Sequence, residues 1–446
     1  MIGMKYESIK TVVLTILVII SIVLTWSLWT YQPQYDELEK PDDLLQEVTL
    51  NNTKETHNLV KPAKILFHIE GQHFGTYDES DINKIMRFIR TWEISDLQNI
   101  SFSMEKEEYL PFLKQSGHVE IHFTDRLPLQ VYKTFLNIND KEHSSLEFDR
   151  IIIDVNAEDR GEGLVYFVSN KDQMIYEARI NSEFIESFKK NYYPLATKNY
   201  PEQIEYQITE TLSVFLPIEK TRLNRVQYYT DTIDTNSFIN RLFDEPNIVK
   251  SDDLTTGEVH TDGTRLLRVY NDRKYIEFEN PMITGGNKGK TTELIQTSID
   301  FVNEHVGWTD NYRFFSWDKD AQKTVFRLYV RNFPVFNTNG LSEIIQEWGN
   351  NEIVNYIHPS VSLRIQYDTR EIILPSGGTV VEELKRLPNF ESEKLEYITI
   401  GYELQENQEN SQFVSLQPIW CYKYNGKWMK VEIMEDGVGG NEDGLE

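Results

Sequence analysis

The chain has 446 residues, of which 39% are hydrophobic, with 8 Trp, 24 Tyr and 23 Phe, so it holds enough apolar surface to exclude extended disorder. Forty-five Lys and Arg face 71 Asp and Glu, and a formal charge of −26 leaves nothing to neutralise a phosphate backbone, which excludes nucleic acid as a partner. Cys421 is the single cysteine, so neither an internal disulfide nor a thiolate metal cluster can form.

The N-terminus reads MIGMKYESIKTVVLTILVIISIVLTWSLWTYQPQYDELEKPDD. No charge occurs from Thr11 to Tyr35, and Thr11 to Trp29 would rise roughly 28 Å as a helix, close to the thickness of a hydrocarbon core. A cleaved secretory signal has a shorter apolar region and small residues at its exit; here Trp26, Trp29 and Tyr31 stand there. The sequence therefore predicts a transmembrane helix over 11–30 behind a cytoplasmic tail, residues 1–10. Lys5 and Lys10 precede the span, and Asp36, Glu37, Glu39, Asp42 and Asp43 follow it, which places the acidic remainder outside the cell membrane. At about 100° per residue, Thr11, Thr15, Val18, Ser21, Ile22, Thr25 and Trp29 share one arc of the helix. Small hydroxylated side chains there either admit and hydrogen-bond a neighbouring helix or bond back to their own.

Residues 31–60 are polar and acidic and read as a linker. An external N-terminal domain is expected over 61–205. Within it, SDINKIMRFIRTW is a helix capped at Ser80, with Ile82, Ile85, Met86, Ile89 and Trp92 at helical spacing. HVEIHF, DRIIIDV and GLVYFVSN read as strands, and NSEFIESFKKNY as a helix. A middle domain over 206–290 and a C-terminal domain over 291–435 each begin with a helix and continue in aromatic-rich strands. Asn425-Gly426 predicts a two-residue hairpin, and 436–446 a disordered tail. The fold class expected is α+β, with mixed, mainly antiparallel sheets and short helices.

Motifs that imitate catalysis fail on inspection. TGGNKGKT places Thr284 where a phosphate-binding loop needs its first glycine, and it would face a compartment without nucleoside triphosphate. It reads instead as a surface loop before a helix starting near Thr291. Ser187 to Lys190 and Ser316 to Lys319 fit Ser-x-x-Lys, but the other elements of that chemistry are missing. His118 and His122 are about 13 Å apart in a strand, too far to share an ion, while His68 and His73 flank Gly71 in a turn. No catalytic, cofactor-binding or metal-binding residue is assigned, and the chain is expected not to be an enzyme.

The opening MKYESIKTVVLTILVIISIVLTWSLWTYQPQYD closely resembles the start of the YycH family, and the early ILFHIEG and late FVSLQPIW fit it as well. Members of that family are accessory proteins of the cell-wall sensor kinase YycG, also called WalK, in low-GC Gram-positive bacteria. The resemblance implies three external domains, the last two sharing a fold with the companion protein YycI. It also implies a membrane complex with YycI and the kinase that sets kinase output, negatively in some species and positively in others. The transmembrane helix carries much of the contact in the family, which gives the stripe from Thr11 to Trp29 a role at a helix–helix interface. The rival expectation is a membrane-anchored external enzyme, or a sensor domain for a wall-derived ligand.

Overall fold

Apolar runs too short for helices and rich in Ile, Val and Phe dominate the chain after residue 60, and they form strands. The computed structural model describes residues 53–433, apart from 134, 141, 144, 158–160, 284–292, 338 and 408–409, together with Leu14 and Ser21. The strands and helices below belong to the compact unit Val48–Glu446.

Ten strands make the first sheet: β1 Lys64–Ile69, β2 Gln72–Thr76, β3 Glu93–Asn99, β4 His118–Pro128, β5 Asn137–Ile138, β6 Glu147–Asp154, β7 Leu164–Ser169, β8 Met174–Arg179, β9 Glu202–Gln207 and β10 Ser213–Pro217. Their order is β10-β9-β2-β1-β4-β6-β7-β8-β3-β5, antiparallel except for the short β3·β5 pair. All six residues of β7 are buried, because the sheet is covered on both faces. Val165 and Phe167 join the core shared with helices α2 Glu79–Ile89 and α5 Ser182–Asn191, whereas Leu164, Tyr166 and Val168 pack with α3 Lys106–Leu113. Short helices α1 Thr56–Leu59, α4 Leu129–Lys133 and α6 Tyr193–Asn199 complete this half.

Helix α2 buries Ile82, Ile85, Met86 and Ile89 as its spacing predicts. Its cap is Asp78, whose carboxylate accepts from the Asp81 N–H at 3.1 Å; Ser80 is the second helical residue. A carboxylate both accepts the amide and complements the helix dipole, so it displaces the hydroxyl two residues on.

The second assembly contains β11 Thr221–Thr232, β12 Lys250–Leu254, β13 Gly257–Thr261, β14 Leu266–Tyr270, β15 Tyr275–Glu279, β16 Tyr312–Asp318, β17 Lys323–Val330, β18 Phe333–Phe336, β19 Glu343–Gly349, β20 Glu352–Pro359, β21 Val361–Leu374, β22 Leu395–Glu406, β23 Phe413–Tyr424 and β24 Lys427–Lys430. The path runs β12-β13-β14-β15-β20-β19-β17-β18-β22-β23-β11-β21, with β16 on β17 and β24 on β23. Only β18·β22 is parallel, through two residue pairs, so β18 links two antiparallel leaves. Strands from before and after the 284–292 loop interleave: β11 pairs with β21 and β23, and β15 with β20. The loop itself, including TGGNKGKT and Thr291, lies outside the described residues.

Three helices cover these leaves: α7 Thr235–Leu242, α8 Leu294–Glu304 and α9 Gly377–Arg386. Asn425 and Gly426 take φ of 49° and 77° between β23 and β24, the left-handed turn that an Asn-Gly pair predicts. Gly377 opens α9 directly on β10, where an added Cβ would lie 2.2 Å from the Leu216 Cβ. Alanine gains up to about 1 kcal/mol of helix propensity over glycine, but overpacking of this kind costs about 1–3 kcal/mol. Gly377→Ala therefore lowers stability, read as a reduced urea midpoint with an unchanged slope.

Candidate functional site

Of the predicted transmembrane stripe, Ser21 is helical and exposed, as is Leu14 beside the stripe; Thr11, Thr15, Val18, Ile22, Thr25 and Trp29 lie outside the described residues. Among the described residues no helix is long and apolar enough to cross a membrane.

The first described residues of the body form a strap between its two halves. The Lys54 backbone N–H donates to Asn303 Oδ1 at 2.9 Å, and Asn303 Nδ2 donates back to the Lys54 carbonyl at 3.1 Å, so one side chain imitates a strand partner. Lys54 Nζ reaches the Asp310 carbonyl at 2.8 Å, and Thr56 Oγ1 donates to Gln296 Oε1 at 2.7 Å, both in the second half. Leu59 and Val60 are then buried in the core, the Val60 carbonyl accepting from the Tyr132 hydroxyl of α4 in the first half. Lys61 ends the strap on Glu79 of α2 at 2.9 Å.

Glu79 also joins the two halves directly. Arg313 of β16, 1% exposed, donates to Glu79 at 2.6 Å and to Asn332 Oδ1, and stacks on Tyr329. Asn332 Nδ2 in turn donates to the Ala63 and Tyr77 carbonyls, both at 3.0 Å. Burial alone would raise the Glu79 pKa, but Arg313 and Lys61 draw it down to about 2. Trp317 adds a second tie, its backbone N–H on Asp125 and its indole N–H on the Arg126 carbonyl.

A second polar cluster lies inside the first sheet. The β1–β2 hairpin sets His68 opposite His73, and β4 supplies Glu120, fully buried. His68 Nε2 lies 2.7 Å from Glu120 Oε1 and His68 Nδ1 lies 2.6 Å from His73 Nδ1. A carboxylate only accepts, so His68 carries its proton on Nε2; when His68 is neutral its Nδ1 accepts, and His73 donates from Nδ1. Arg150 holds the other carboxylate oxygen at 2.8 Å, and His122 Nε2 stands 3.1 Å away without the alignment of a hydrogen bond. Burial opposes charge on Glu120, yet His122 and Arg150 keep its pKa well below the usual range, Arg150 being the one permanently charged. Burial, with His68 beside it, lowers His73 to about 4; burial, with Arg150, lowers His122 to about 3. A cavity of about 10 Å³ beside Glu120 and Arg150 has room for one water.

The sequence placed His68 and His73 at a turn but gave no sign that β4 would bring Glu120 between them and His122. Among the described residues no three His, Cys, Asp or Glu side chains are arranged to hold a metal ion. Lys319, of the second Ser-x-x-Lys match, is bound to Glu147 of β6 at 3.1 Å. An open polar groove of about 470 Å³ lies at one end of β3, β5 and β8 between Glu93, Asn137, Arg179 and Phe184.

Residues 7–195 match the family described as YycH protein, N-terminal domain, and residues 211–437 that described as YycH protein, C-terminal domain. The chain belongs to the YycH family. One YycH-family relative, the two-component system WalR/WalK regulatory protein YycH of Bacillus subtilis strain 168, is 28% identical over 439 residues, 95% of this chain and 96% of that protein. The crystal structure of YycH from Bacillus subtilis shares the fold with a TM-score of 0.73 at 24% identity, covering 86% of this chain and 98% of that one. The mixed α+β architecture of mostly antiparallel sheets and short helices is thus a property of the family.

Two outcomes test this site. Glu79→Gln leaves Arg313 buried without its anion and costs about 2–4 kcal/mol, measured by urea unfolding. Histidines whose folded pKa is depressed bind protons more readily unfolded, so the stability they confer is complete above about pH 6.5 and is lost as pH falls towards 4. His358, fully buried and lowered to about 4 by that burial, belongs to the same set. Unfolding free energy measured from pH 7 to 4 therefore falls, and His358→Gln makes the fall shallower.

Proposed function

We propose that this chain is a membrane-anchored accessory regulator of a WalR/WalK-type two-component system, bound to the sensor kinase YycG/WalK together with a YycI companion. The observation that carries this reading is similarity to the Bacillus subtilis regulatory protein over 95% of the chain. The apolar run from Thr11 to Trp29 supports a single-pass anchor with the body outside the membrane of a Gram-positive cell. In this reading Thr11, Thr15, Val18, Ser21, Ile22, Thr25 and Trp29 pack on a kinase helix, and the last two external domains share the YycI fold.

A sensor kinase passes signals through small helix shifts between two nearly balanced arrangements, and a helix that packs better against one of them biases the balance. A coupling of about 1–3 kcal/mol alters output several-fold or more. The strap supplies a route to the body, because the chain leading from the span is tied at Lys54 and Thr56 to one half and at Lys61 to the other.

Replacing residues 11–29 with an unrelated apolar helix is expected to abolish co-purification with the kinase and to shift expression of its target genes several-fold. If both stay at wild-type levels, contact through the helix is wrong. Asn303→Ala, which loosens the strap, is expected to leave co-purification intact while changing target-gene expression.

A further inference from the structure

Strand β21 ends the second sheet: β11 covers one side along its whole length, and among the described residues no strand pairs with the other. Its middle is exposed without interruption from Arg364 to Glu371. On one face Ile365 lies opposite Tyr229, and the rings of Tyr229 and Tyr367 stand 5.5 and 4.9 Å from that of Phe413. Ile365 and Tyr367 keep 43% and 49% of their surface open to water. Proteins usually blunt such an edge with lysine, proline or a covering segment, and β21 contains neither residue. Two register shifts against β11 twist it instead, which disfavours indiscriminate flat pairing and favours a partner whose side chains match.

The sequence of β21 matches itself. Laid antiparallel about Gln366, a second copy sets its tyrosine 367 against Ile365 and its aspartate 368 against Arg364, and symmetry makes each contact twice. A register that instead opposes Arg364 to Glu371 puts Arg370 against Ile365 and loses the apolar pairing. Arg364 is already paired with Asp231 of β11, which leaves its guanidinium beside the open edge between two carboxylates. We propose that β21 is a self-pairing edge through which two copies of this chain join about a twofold axis at Gln366.

The test uses the full-length chain in membranes, oxidised with copper phenanthroline and read on a non-reducing gel. Its own Cys421 is buried, so an introduced thiol reacts alone. Opposite Cα atoms in antiparallel strands lie about 4.5–5.5 Å apart, within disulfide range. Gln366→Cys is expected to give a linked dimer, and Thr369→Cys, whose opposite is Leu363, about fivefold less. Adding Arg364→Asp to Gln366→Cys cuts the dimer about fivefold, and adding Asp368→Arg as well restores it, which separates lost pairing from lost folding. A Gln366→Cys chain that stays monomeric overturns the proposal. So does one linked to a different protein, or a yield indifferent to the charge reversal.

Discussion

A guanidinium taken out of water needs anions and acceptors around it, and Arg313 finds its carboxylate on the opposite half of the molecule. Its presence on β16 requires the N-terminal end of α2 to be where Glu79 can reach it, and Asn332 carries the same constraint to the Ala63 and Tyr77 carbonyls. Breaking such a pair costs more than making it gains, because Arg313 without it is a buried charge. The joint therefore fixes geometry more than it adds stability. Two large antiparallel sheets that touch only through apolar side chains could slide; pinned by the Arg313–Glu79 ion pair and the Trp317 hydrogen bonds, they hold one arrangement.

The Glu120 cluster follows the same logic at a smaller scale. Four strands contribute to it, through His68 on β1, His73 on β2, Glu120 and His122 on β4, and Arg150 on β6. In a protein with a strong excess of acid, the fully buried Glu120 has recruited a guanidinium and two imidazoles. His122 and His73 remain neutral at physiological pH, so the interior carries few uncompensated charges despite its polarity.

Local features were legible in the sequence to the extent that local chemistry decides them. The period of Ile82, Ile85, Met86 and Ile89 gave α2 its buried face, Asn425-Gly426 gave the last hairpin, and the run RIIIDV gave a central strand. Long-range pairing was not legible: nothing in TRLNRVQYYTDT or FVSLQPIW says that β11 lies between β21 and β23. The same limit hid the polar sites. His68 and Glu120 are 52 residues apart and Glu79 and Arg313 are 234 apart, and each side chain in isolation looks like a solvated surface group. The polarity of residues 31–60 also concealed that its end is structural, because Leu59 and Val60 are only two apolar residues among many polar ones.

That last point bears on how such a protein can change over evolutionary time. Modules are exchanged between genes most easily where a connector contributes nothing to the core on either side. Here the connector's final turn is part of the core and its lysine and threonine fill sites on the distant half. A foreign segment grafted just before Pro62 would arrive without them, leaving Asn303, Asp310 and Gln296 with no strap to hold. The segment from Lys54 to Lys61 and the body are thus bound to be inherited together, and sequence change on either side of the strap is answerable to the other.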